Sequence, residues 1–305
     1  MASPNLPESI TAGVTTGHAT DHEKIHDLLN EFDMANQVQA TGDLLVFRDG
    51  LLQRLPVGSD GQVLTADSTA PAGLKWAMPP ESVEATPLDF SDDLMGWWDA
   101  SQITGLSDND PVSTWPDLSG NGLHLNAATA NPPVYVENAY NGLPVVRFVS
   151  DQDRHLDTAT FSAVSQPGTV LIACSSSSSA GYIILDGQAS NNRWTFGSTA
   201  AGNSNLGLFA GSAGATLSGA TWSFRVFWAM WHSAGMIWDF GSPLRWAVGN
   251  NGGNTLTGLR VARHQSTTSR RFDGDIGEIA MWSRALSPHE VGLMVGTMMR
   301  KWGLM

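Results

Sequence analysis

The stretch FDGDIGEIAMWSRALSPHEV, residues 272–291, decides the fold of the C-terminal part of this chain. Its first half mixes apolar and small residues in the manner of a β-strand, and its second half carries the signals that start a helix. Ser287 stands at the N-cap, Pro288 at the first helical position, and Glu290 completes a capping box. Apolar residues then follow at helical spacing: Val291, Leu293, Met294 and Met298. We therefore predict a strand followed by a C-terminal helix that packs back on the β-structure.

Strand-like runs extend outward from this stretch back to residue 88. They are PVVRFV, GTVLIAC, YIILDG, RWTFG, LGLFAG, TWSFRVFWAMW, GMIWDF and TGLRVAR. Short runs separated by Gly, Asn, Ser and Asp are typical of a sandwich or barrel. Eleven of the 12 tryptophans lie after residue 88, so this segment has enough apolar mass for one large core.

The composition of the whole chain excludes several classes of protein. The 305 residues carry a formal net charge of −13, only 15% are charged and 42% are hydrophobic. The chain is too apolar for a disordered protein and too acidic for a nucleic-acid binder. No apolar run is long enough to span a bilayer, and the N-terminus lacks the features of a signal peptide. The single cysteine, Cys174, permits no internal disulfide.

The first part of the chain differs from the rest. Residues 1–87 hold 12 acidic and 4 basic side chains, a net charge of −8, and one tryptophan. We predict an extended arm and a short oligomerising helix over 1–40, and a β segment with D-G turn signals over 41–78. A proline-rich linker over 79–87 then leads to the β-sandwich domain over 88–305. The first 78 residues contain too few apolar side chains to close a core alone.

The run DHEKIHDLLNEFDMAN, residues 21–36, has a narrow apolar seam of the coiled-coil type. The seam consists of His22, Ile25, Leu29 and Phe32. A helix of about two heptads is marginal in water, so we expect it to need copies of itself. His18, His22 and His26 repeat every four residues and share one helix face. A trimer would gather such imidazoles around a metal, whereas packing and solvent exposure explain them without one, and we assign no metal.

Two stretches in this part resemble proteins of tailed bacteriophages. Residues 15–30, TTGHATDHEKIHDLLN, are similar to the N-terminal element of many minor tail proteins. Residues 56–77, PVGSDGQVLTADSTAPAGLKWA, resemble a segment widespread in tail-fibre and tail-tip proteins. The matching residues are Gly58, Gly61, Gln62, Val63, Leu64, Thr65, Gly73, Leu74 and Trp76. Over about residues 14–77, the resemblance implies a trimeric, intertwined attachment stem.

The C-terminal part resembles laminin-G-like domains with a concanavalin A-like jelly-roll fold. The opening motif W-x-D-x-S-G-N-G matches Trp115, Asp117, Ser119, Gly120, Asn121 and Gly122. The closing strand and helix match Phe272, Gly274, Ile276, Glu278, Leu286, Ser287 and Glu290. The resulting fold is mainly β: a short coiled-coil helix and small trimeric β stem, then a C-terminal jelly-roll sandwich with a terminal helix. The jelly-roll fold serves lectins, adhesion modules and glycanases alike.

The arrangement of carboxylates argues against a glycosidase, which needs two of them facing each other. On a regular strand, Asp273 and Asp275 share one face, while Glu278 points to the other. Ile276 and Ile279 would likewise face opposite sides. No G-x-S-x-G nucleophile motif and no phosphate-binding glycine loop occurs. We predict no enzyme and no catalytic residues.

A sugar ring presents C–H faces to aromatic side chains and hydroxyls to polar groups. The glycan-binding candidates are Trp194, Asn192, Trp246, Asn250, Arg263, His264 and Arg270, on expected turns and loops. Most other tryptophans should fill the core, which we expect for Trp222, Trp228, Trp231, Trp238 and Trp282. We predict no cofactor. Calcium stays open at the oxygen-rich turns 107–110 and 150–153, although turn chemistry explains both without a metal.

The two resemblances together predict a tail-fibre or minor tail protein of a virion. It would be a homotrimer at the tail tip or fibre, exposed to the extracellular medium and joined N-terminally to other tail or virion proteins. Its C-terminal domain would bind a bacterial cell-surface glycan without cleaving it, with no nucleic-acid partner and no membrane insertion. The alternatives are a purely structural virion decoration protein and a polysaccharide depolymerase.

Overall fold

The computed structural model describes residues 23, 38–48, 51–71, 73–78, 84–177, 182–198, 205–218, 222–240, 245–266 and 269–305. The chain divides into two compact units, Met1–Val83 and Glu84–Met305. The predicted seam and histidine positions lie outside the described residues: His18, His22, Ile25, His26, Leu29 and Phe32. The coiled coil and its metal alternative therefore stay predictions.

The first unit contains two antiparallel hairpins, as the D-G turn signals predict. One pairs β1 (Leu44–Arg48) with β2 (Leu51–Leu55), and the other pairs β3 (Val63–Ala66) with β4 (Leu74–Ala77). Asp43 connects the first hairpin to the segments that precede and follow it in the chain. Its carboxylate accepts hydrogen bonds from the Arg54 guanidinium and from the backbone N–H groups of Gln39, Ala40 and Val57.

The fibre-like motif of residues 56–77 is explained by local packing. The Trp76 indole lies against Gly58, where a Cβ atom would stand 2.7 Å from the ring, and its Nε1 donates to the Pro56 carbonyl at 2.6 Å. Asp67 pairs with Lys75 at 2.7 Å, and this contact holds the pKa of Asp67 well below its usual range. The motif residues therefore fix the shape of the second hairpin.

The first unit leaves large apolar side chains in water. Phe47 is 73% exposed and Val57 is 50% exposed, and Val63 and Leu64 are also exposed. These apolar side chains would leave water if a partner covered them, which would be favourable.

The second unit is a β-sandwich of two antiparallel sheets with a helix on one side. Its strands are β5 (Leu94–Asp99), β6 (Thr114–Trp115), β7 (Leu125–Ala127), β8 (Val134–Tyr140), β9 (Leu143–Phe148), β10 (Leu156–Asp157), β11 (Gly168–Ser176), β12 (Ile183–Gly187), β13 (Thr195–Ser198), β14 (Leu206–Phe209), β15 (Ala213–Leu217), β16 (Trp222–Trp231), β17 (Gly235–Asp239), β18 (Arg245–Gly249), β19 (Leu259–Val261) and β20 (Gly274–Trp282). The helix α1 spans Pro288–Lys301. Every strand-like run named above contains a strand, so the mainly β prediction with a C-terminal helix is confirmed.

The strand order defines two sheets. Sheet A has the order β15-β14-β13-β12-β19-β10-β7-β6. Sheet B has the order β18-β17-β16-β11-β20-β9-β8, and β5 pairs with the second half of β20. One core of buried side chains, including Trp115, Phe227 and Trp231, lies between the sheets. A second core, including Trp282, Met294 and Met298, lies between sheet B and α1.

The start of α1 follows the sequence prediction closely. The Ser287 side chain accepts the N–H of Glu290, and the Glu290 carboxylate accepts the N–H of Ser287 at 2.6 Å. Arg284 also binds Glu290 at 2.6 Å, and this contact holds the pKa of Glu290 down at about 2. The capping box thus fixes the direction in which the helix leaves β20.

The W-x-D-x-S-G-N-G motif closes a loop against β5. The Asp117 carboxylate accepts the backbone N–H groups of Trp97, Ser119 and Leu123, all within 3.0 Å. Asn121 donates to the carbonyl of Leu94 at 2.7 Å. These contacts are structural, so the motif marks the fold and carries no information about a ligand.

A β-bulge at Gly277 changes which side chains of β20 share a face. Ala173 of β11 pairs with Glu278, whereas Cys174 pairs with Ile276, so Gly277 is the extra residue. Because of this extra residue, Ile276 and Ile279 both enter the core between the sheets. The expectation that they face opposite sides was wrong. A Cβ atom on Gly277 would stand 2.4 Å from the Trp302 ring, which explains why glycine occupies the bulge.

Candidate functional site

Three tryptophans stand in register on the outer face of sheet B. Trp228 of β16 pairs with Trp238 of β17, and Trp238 pairs with Trp246 of β18. The rings of Trp238 and Trp246 stack with centroids 6.1 Å apart and planes inclined by 22°. Side chains directly opposite on neighbouring strands lie close together, so this register lines up the three residues, which we call the tryptophan ladder.

The ladder becomes more exposed toward the edge of the sheet. Trp228 is 7% exposed, whereas Trp246, on the last strand, is 61% exposed. Val248 lies two residues further along the same face and is 51% exposed. Asn250 follows the end of β18 and is exposed, with its Oδ1 accepting the N–H of Gly252 at 2.9 Å. An apolar ring and a polar amide therefore lie at one edge.

The candidate Trp194 belongs to the core, which corrects the prediction that its ring lies on an accessible turn. Its side chain is fully buried, its ring stacks on Trp231 at 5.5 Å, and its Nε1 donates to the Asn254 carbonyl at 2.7 Å. The expectation of core positions is met by Trp228, Trp231 and Trp282, while Trp238 is half-buried. The side chain of Trp222 lies outside the described residues.

The candidates Arg263, His264 and Arg270 lie together on a hairpin loop between β19 and β20. Arg263 and Arg271 form an antiparallel bridge, and the N–H of His264 donates to the Arg270 carbonyl at 3.0 Å. Arg193 joins this loop, with its Nη1 3.0 Å from Nε2 of His264. The seventh candidate, Asn192, precedes Arg193 and donates to Thr255 Oγ1. The seven candidates therefore lie in three different regions, which are the surroundings of this loop, the tryptophan ladder and the core.

A buried carboxylate lies beneath the loop. Asp186 on β12 is fully buried and accepts hydrogen bonds from the N–H groups of Gly187 and Gln265 and from the Thr195 hydroxyl. Burial raises the pKa of Asp186. Beside it, Arg260 binds Asp157 through two hydrogen bonds of 2.8 and 2.7 Å. The loop is thus anchored to sheet A by charged contacts.

The turn at residues 150–153, one of the two candidate calcium turns, is occupied by ion pairs. Asp153 lies 3.2 Å from Arg263 Nε and 3.0 Å from Arg271 Nε. In the other turn, Asp110 accepts the N–H of Ser107, and Asp108 accepts the N–H of Glu137. Among the residues that the structure describes, no group of three or more His, Cys, Asp or Glu side chains is arranged to hold a metal. The same part of the chain has no helix long and apolar enough to cross a membrane.

A cavity of about 300 Å³ opens on the outer face of sheet B, at the start of β20. It is lined chiefly by hydroxyl and charged groups, including Tyr140, Arg147, Ser175, Ser177, Asp273 and Asp275. Arg147 binds Asp275 through two hydrogen bonds of 2.6 and 2.9 Å. The Tyr140 hydroxyl lies 3.1 Å from Ser175 Oγ. Residues 175–179 are five consecutive serines, and the first two of them, Ser175 and Ser176, complete β11.

The bulge at Gly277 places Asp275 and Glu278 on the same face of β20, contrary to the sequence prediction. Glu278 is nevertheless sealed from the cavity. Its carboxylate accepts hydrogen bonds from Trp97 Nε1 at 2.9 Å, Lys301 Nζ at 2.8 Å and Trp302 Nε1 at 3.3 Å. Glu278 is 3% exposed, and these three hydrogen bonds connect β20 to β5 and to the C-terminal end of α1.

Comparisons with known proteins support the fold and leave the ligand open. No family model and no curated protein matches the chain. An α-L-arabinofuranosidase of family GH54, soaked with a cyclic sulfate inhibitor, is similar at 12% identity with a TM-score of 0.50. The match covers 71% of this chain and 65% of that one, so this chain spans less than two thirds of that protein's length. At this identity, the likeness shows a shared fold alone.

Two further solved structures are similar at lower scores. Domain 4 of a GH43 extracellular arabinanase from Geobacillus stearothermophilus, in complex with arabinotriose, is 12% identical with a TM-score of 0.48, covering 67% of this chain and 98% of that domain. The binding domain of botulinum neurotoxin serotype D is 10% identical with a TM-score of 0.48, covering 70% of this chain and 53% of that domain.

Sequence reasoning missed Arg193 and Asp186, which complete the loop site. Arg193 follows a candidate, Asn192, and the excess of 13 arginines over 3 lysines already favours fixed planar contacts. Asp186 sits in a buried apolar strand, IILDG, where a carboxylate needs a partner. The arginine excess and the carboxylate in an apolar strand are the two sequence features from which Arg193 and Asp186 could have been predicted.

Proposed function

We propose that this protein is a lectin-like adhesin of a phage virion, which binds a bacterial cell-surface glycan without cleaving it. The second unit would carry the glycan site. The first unit would attach the chain, as a homotrimer, to other proteins of the tail tip or fibre. The support for the virion setting is the resemblance of residues 14–77, and the support for glycan binding is the geometry of the second unit.

The observation that carries glycan binding is the tryptophan ladder that ends at Trp246. Trp246 lies on the last strand of sheet B with its side chain largely exposed, so its ring is accessible to a ligand. Trp246 is held in place by Trp238, which limits the side-chain entropy lost on binding. Trp246 is fixed by a neighbouring ring and is 61% exposed, so it can stack on the apolar C–H face of a pyranose.

The positions of two carboxylates support binding without cleavage. Glycoside hydrolysis needs two carboxyl groups on either side of the scissile bond. Near the cavity, Asp275 is engaged by Arg147, and Glu278 is buried under Lys301 and Trp302. This arrangement supports binding of a glycan without hydrolysis.

The test compares variants of two exposed residues on one strand. Replacing Trp246 with alanine should weaken retention on host cell-wall polysaccharide at least about 30-fold, because truncating an anchoring tryptophan typically costs about 2 kcal/mol or more. Replacing Val248 with alanine, on the same face and also exposed, should change retention less than about twofold. Equal retention of the two variants would contradict the assignment.

The trimer is tested by mass in solution. Multi-angle light scattering of the full chain should give three times 32.5 kDa. Three domains on one axis would give avidity, so each site need bind only weakly. A monomeric mass would exclude this part of the proposal and leave the glycan site standing.

A further inference from the structure

The cavity at the start of β20 is built from two polar rows on the outer face of sheet B. In the first row, Asp275 of β20 pairs with Arg147 of β9 on one side and with Ser175 of β11 on the other. In the second row, the backbone N–H of Ser177 donates to the Asp273 carbonyl at 2.9 Å. Asp273 and Asp275 are two residues apart, so their side chains lie on one face of the chain. The two rows gather carboxylate, guanidinium and hydroxyl groups around one cavity.

Two of the side chains that line the cavity are held in place by the protein. The Arg147 guanidinium binds the Asp275 carboxylate through Nε at 2.6 Å and through Nη2 at 2.9 Å. The Tyr140 ring stacks on Phe224 with centroids 4.0 Å apart, and its hydroxyl lies 3.1 Å from Ser175 Oγ. A ligand would therefore meet groups whose positions are already fixed, which reduces the entropy lost on binding.

The cavity also presents one donor and one acceptor that the described residues leave unused. Arg147 is bound to Asp275 through Nε and Nη2, so its Nη1 has no partner in the described part of the chain, and its side chain is 44% exposed. Asp273 Oδ1 likewise accepts no hydrogen bond from the described residues, and it is not among their buried unpartnered atoms. The other oxygen, Oδ2, accepts a long contact of 3.4 Å from Ser150 Oγ. Both groups are thus accessible to a ligand.

The charges of the lining residues favour a neutral ligand. Asp273 and Asp275 carry two negative charges and Arg147 carries one positive charge, so the cavity has a net charge of −1. This charge repels an anion, as does the net charge of −13 on the whole chain. A cation would meet Asp273 as its one available carboxylate, because Arg147 engages both oxygens of Asp275 and places its own positive charge in the cavity. A neutral molecule avoids both costs.

A sugar hydroxyl both donates and accepts hydrogen bonds, which matches the groups in the cavity. We propose that the cavity binds one neutral sugar residue, whose neighbouring hydroxyls donate to the Asp273 carboxylate and accept from Arg147 Nη1. The hydroxyls of Tyr140 and Ser177 also line the cavity, and each can take either role. The volume of about 300 Å³ lies at the lower end of the range for small-molecule pockets, so it suits a single sugar residue.

This cavity is a secondary site, separate from the tryptophan ladder. It lies over β9, β11 and β20, whereas the ladder ends on β18 at the edge of the same sheet, so each can be removed without the other. Hydrogen bonds to a sugar replace hydrogen bonds to water and add little net affinity, so the ladder supplies most of the retention. That the bound sugar belongs to a host glycan rests on the proposed function, but the binding of a neutral sugar does not.

The test measures sugar binding by the full chain carrying Trp246→Ala, so that the ladder does not contribute. Saturation-transfer NMR compares three neutral sugars, which are glucose, galactose and N-acetylglucosamine, with glucuronate, the anionic counterpart of glucose. At least one neutral sugar should bind, and glucuronate should bind more weakly than that sugar. The assignment is overturned if none of the neutral sugars binds, or if glucuronate binds most tightly.

Variants added to the Trp246→Ala chain locate the bound sugar. Asp273→Ala should weaken binding of the neutral sugar at least about tenfold, because hydrogen bonds to charged groups are among the stronger ones. The control Asp151→Ala removes the same charge from an exposed position outside the cavity and should change binding less than about twofold. If Asp273→Ala does not fold, Arg147→Lys keeps a positive charge beside Asp275 but lacks Nη1, and it should still weaken binding several-fold.

Two outcomes separate the cavity from the proposed function. Equal sugar binding by the Asp273→Ala and Asp151→Ala chains would overturn the assignment of the cavity, whatever the retention on cell-wall polysaccharide. Sugar binding that depends on Asp273, in a protein that is not retained on that polysaccharide, would contradict the proposed function and support the cavity as a sugar site.

Discussion

Replacing Lys301 with methionine lowers the free energy of unfolding of the second unit by about 3–5 kcal/mol, the usual cost of leaving a buried charge without its partner. Lys301 at the end of α1 reaches back to β5 and β20, where its Nζ contacts both Asp99 and Glu278. Burial raises the pKa of Glu278, and the two carboxylates together hold the pKa of Lys301 above its usual value despite burial. Without the ammonium group, two buried carboxylates lose their only shared cation among the described residues.

The measurement is urea unfolding followed by tryptophan fluorescence, which reports mainly on the second unit because it contains eleven of the 12 tryptophans. Arg300→Met, at the neighbouring position, is the control and should shift the free energy by less than about 1 kcal/mol. The double variant Glu278→Gln with Lys301→Met should recover part of the loss, because it removes one of the stranded charges. A Lys301→Met protein as stable as the control would show that the cluster does not hold α1 to the sheets.

Replacing Trp194 with alanine should cost about 3–5 kcal/mol, the range for truncating a buried tryptophan. The change removes the stack on Trp231 and leaves the Asn254 carbonyl without the indole N–H. It also empties the space over Gly168, where a Cβ atom would stand only 2.1 Å from the Trp194 ring. Surrounding strands cannot fill such a space, so a cavity remains.

Trp246→Ala is the matched control for this effect, because it removes the same side chain from an exposed position. Its free energy of unfolding should change by less than about 0.5–1 kcal/mol, as is usual for surface positions. At a temperature where both variants are folded, Trp194→Ala should retain glycan binding and Trp246→Ala should lose it. The reverse pattern would restore Trp194 as a ligand-binding residue.

Most strands and the terminal helix could be predicted because they depend on local signals. The apolar runs such as GTVLIAC bury continuous strands in sheet B, and Ser287 and Glu290 form the capping box that the sequence predicts. The faces of β20 could not be predicted, because the strand period of two assumes that no residue is inserted. The bulge depends on Trp302 lying against Gly277, a contact between residues that are separated in the sequence by the whole of α1.

The candidate site was predicted only in part for a similar reason. Trp194 and Trp246 both lie within four residues of an asparagine in the sequence, yet one fills the core and the other lies on the last strand of a sheet. Strand order decides between these outcomes, and it is set by long-range pairing. The loop residues Arg263, His264 and Arg270 could be grouped because they are close in sequence, whereas Arg193 and Asp186 reach them only through the pairing of β12 with β19.

The measurement that tests the central claim most directly follows binding and cleavage in one sample. The full chain is incubated with insoluble host cell-wall polysaccharide, and the protein retained on the pellet is quantified together with the reducing ends released. The account predicts saturable retention, loss of retention in Trp246→Ala, and reducing ends no higher than in the buffer control. Release of reducing ends that rises with time and protein would contradict binding without cleavage, and no retention above the Trp246→Ala level would contradict the glycan site itself.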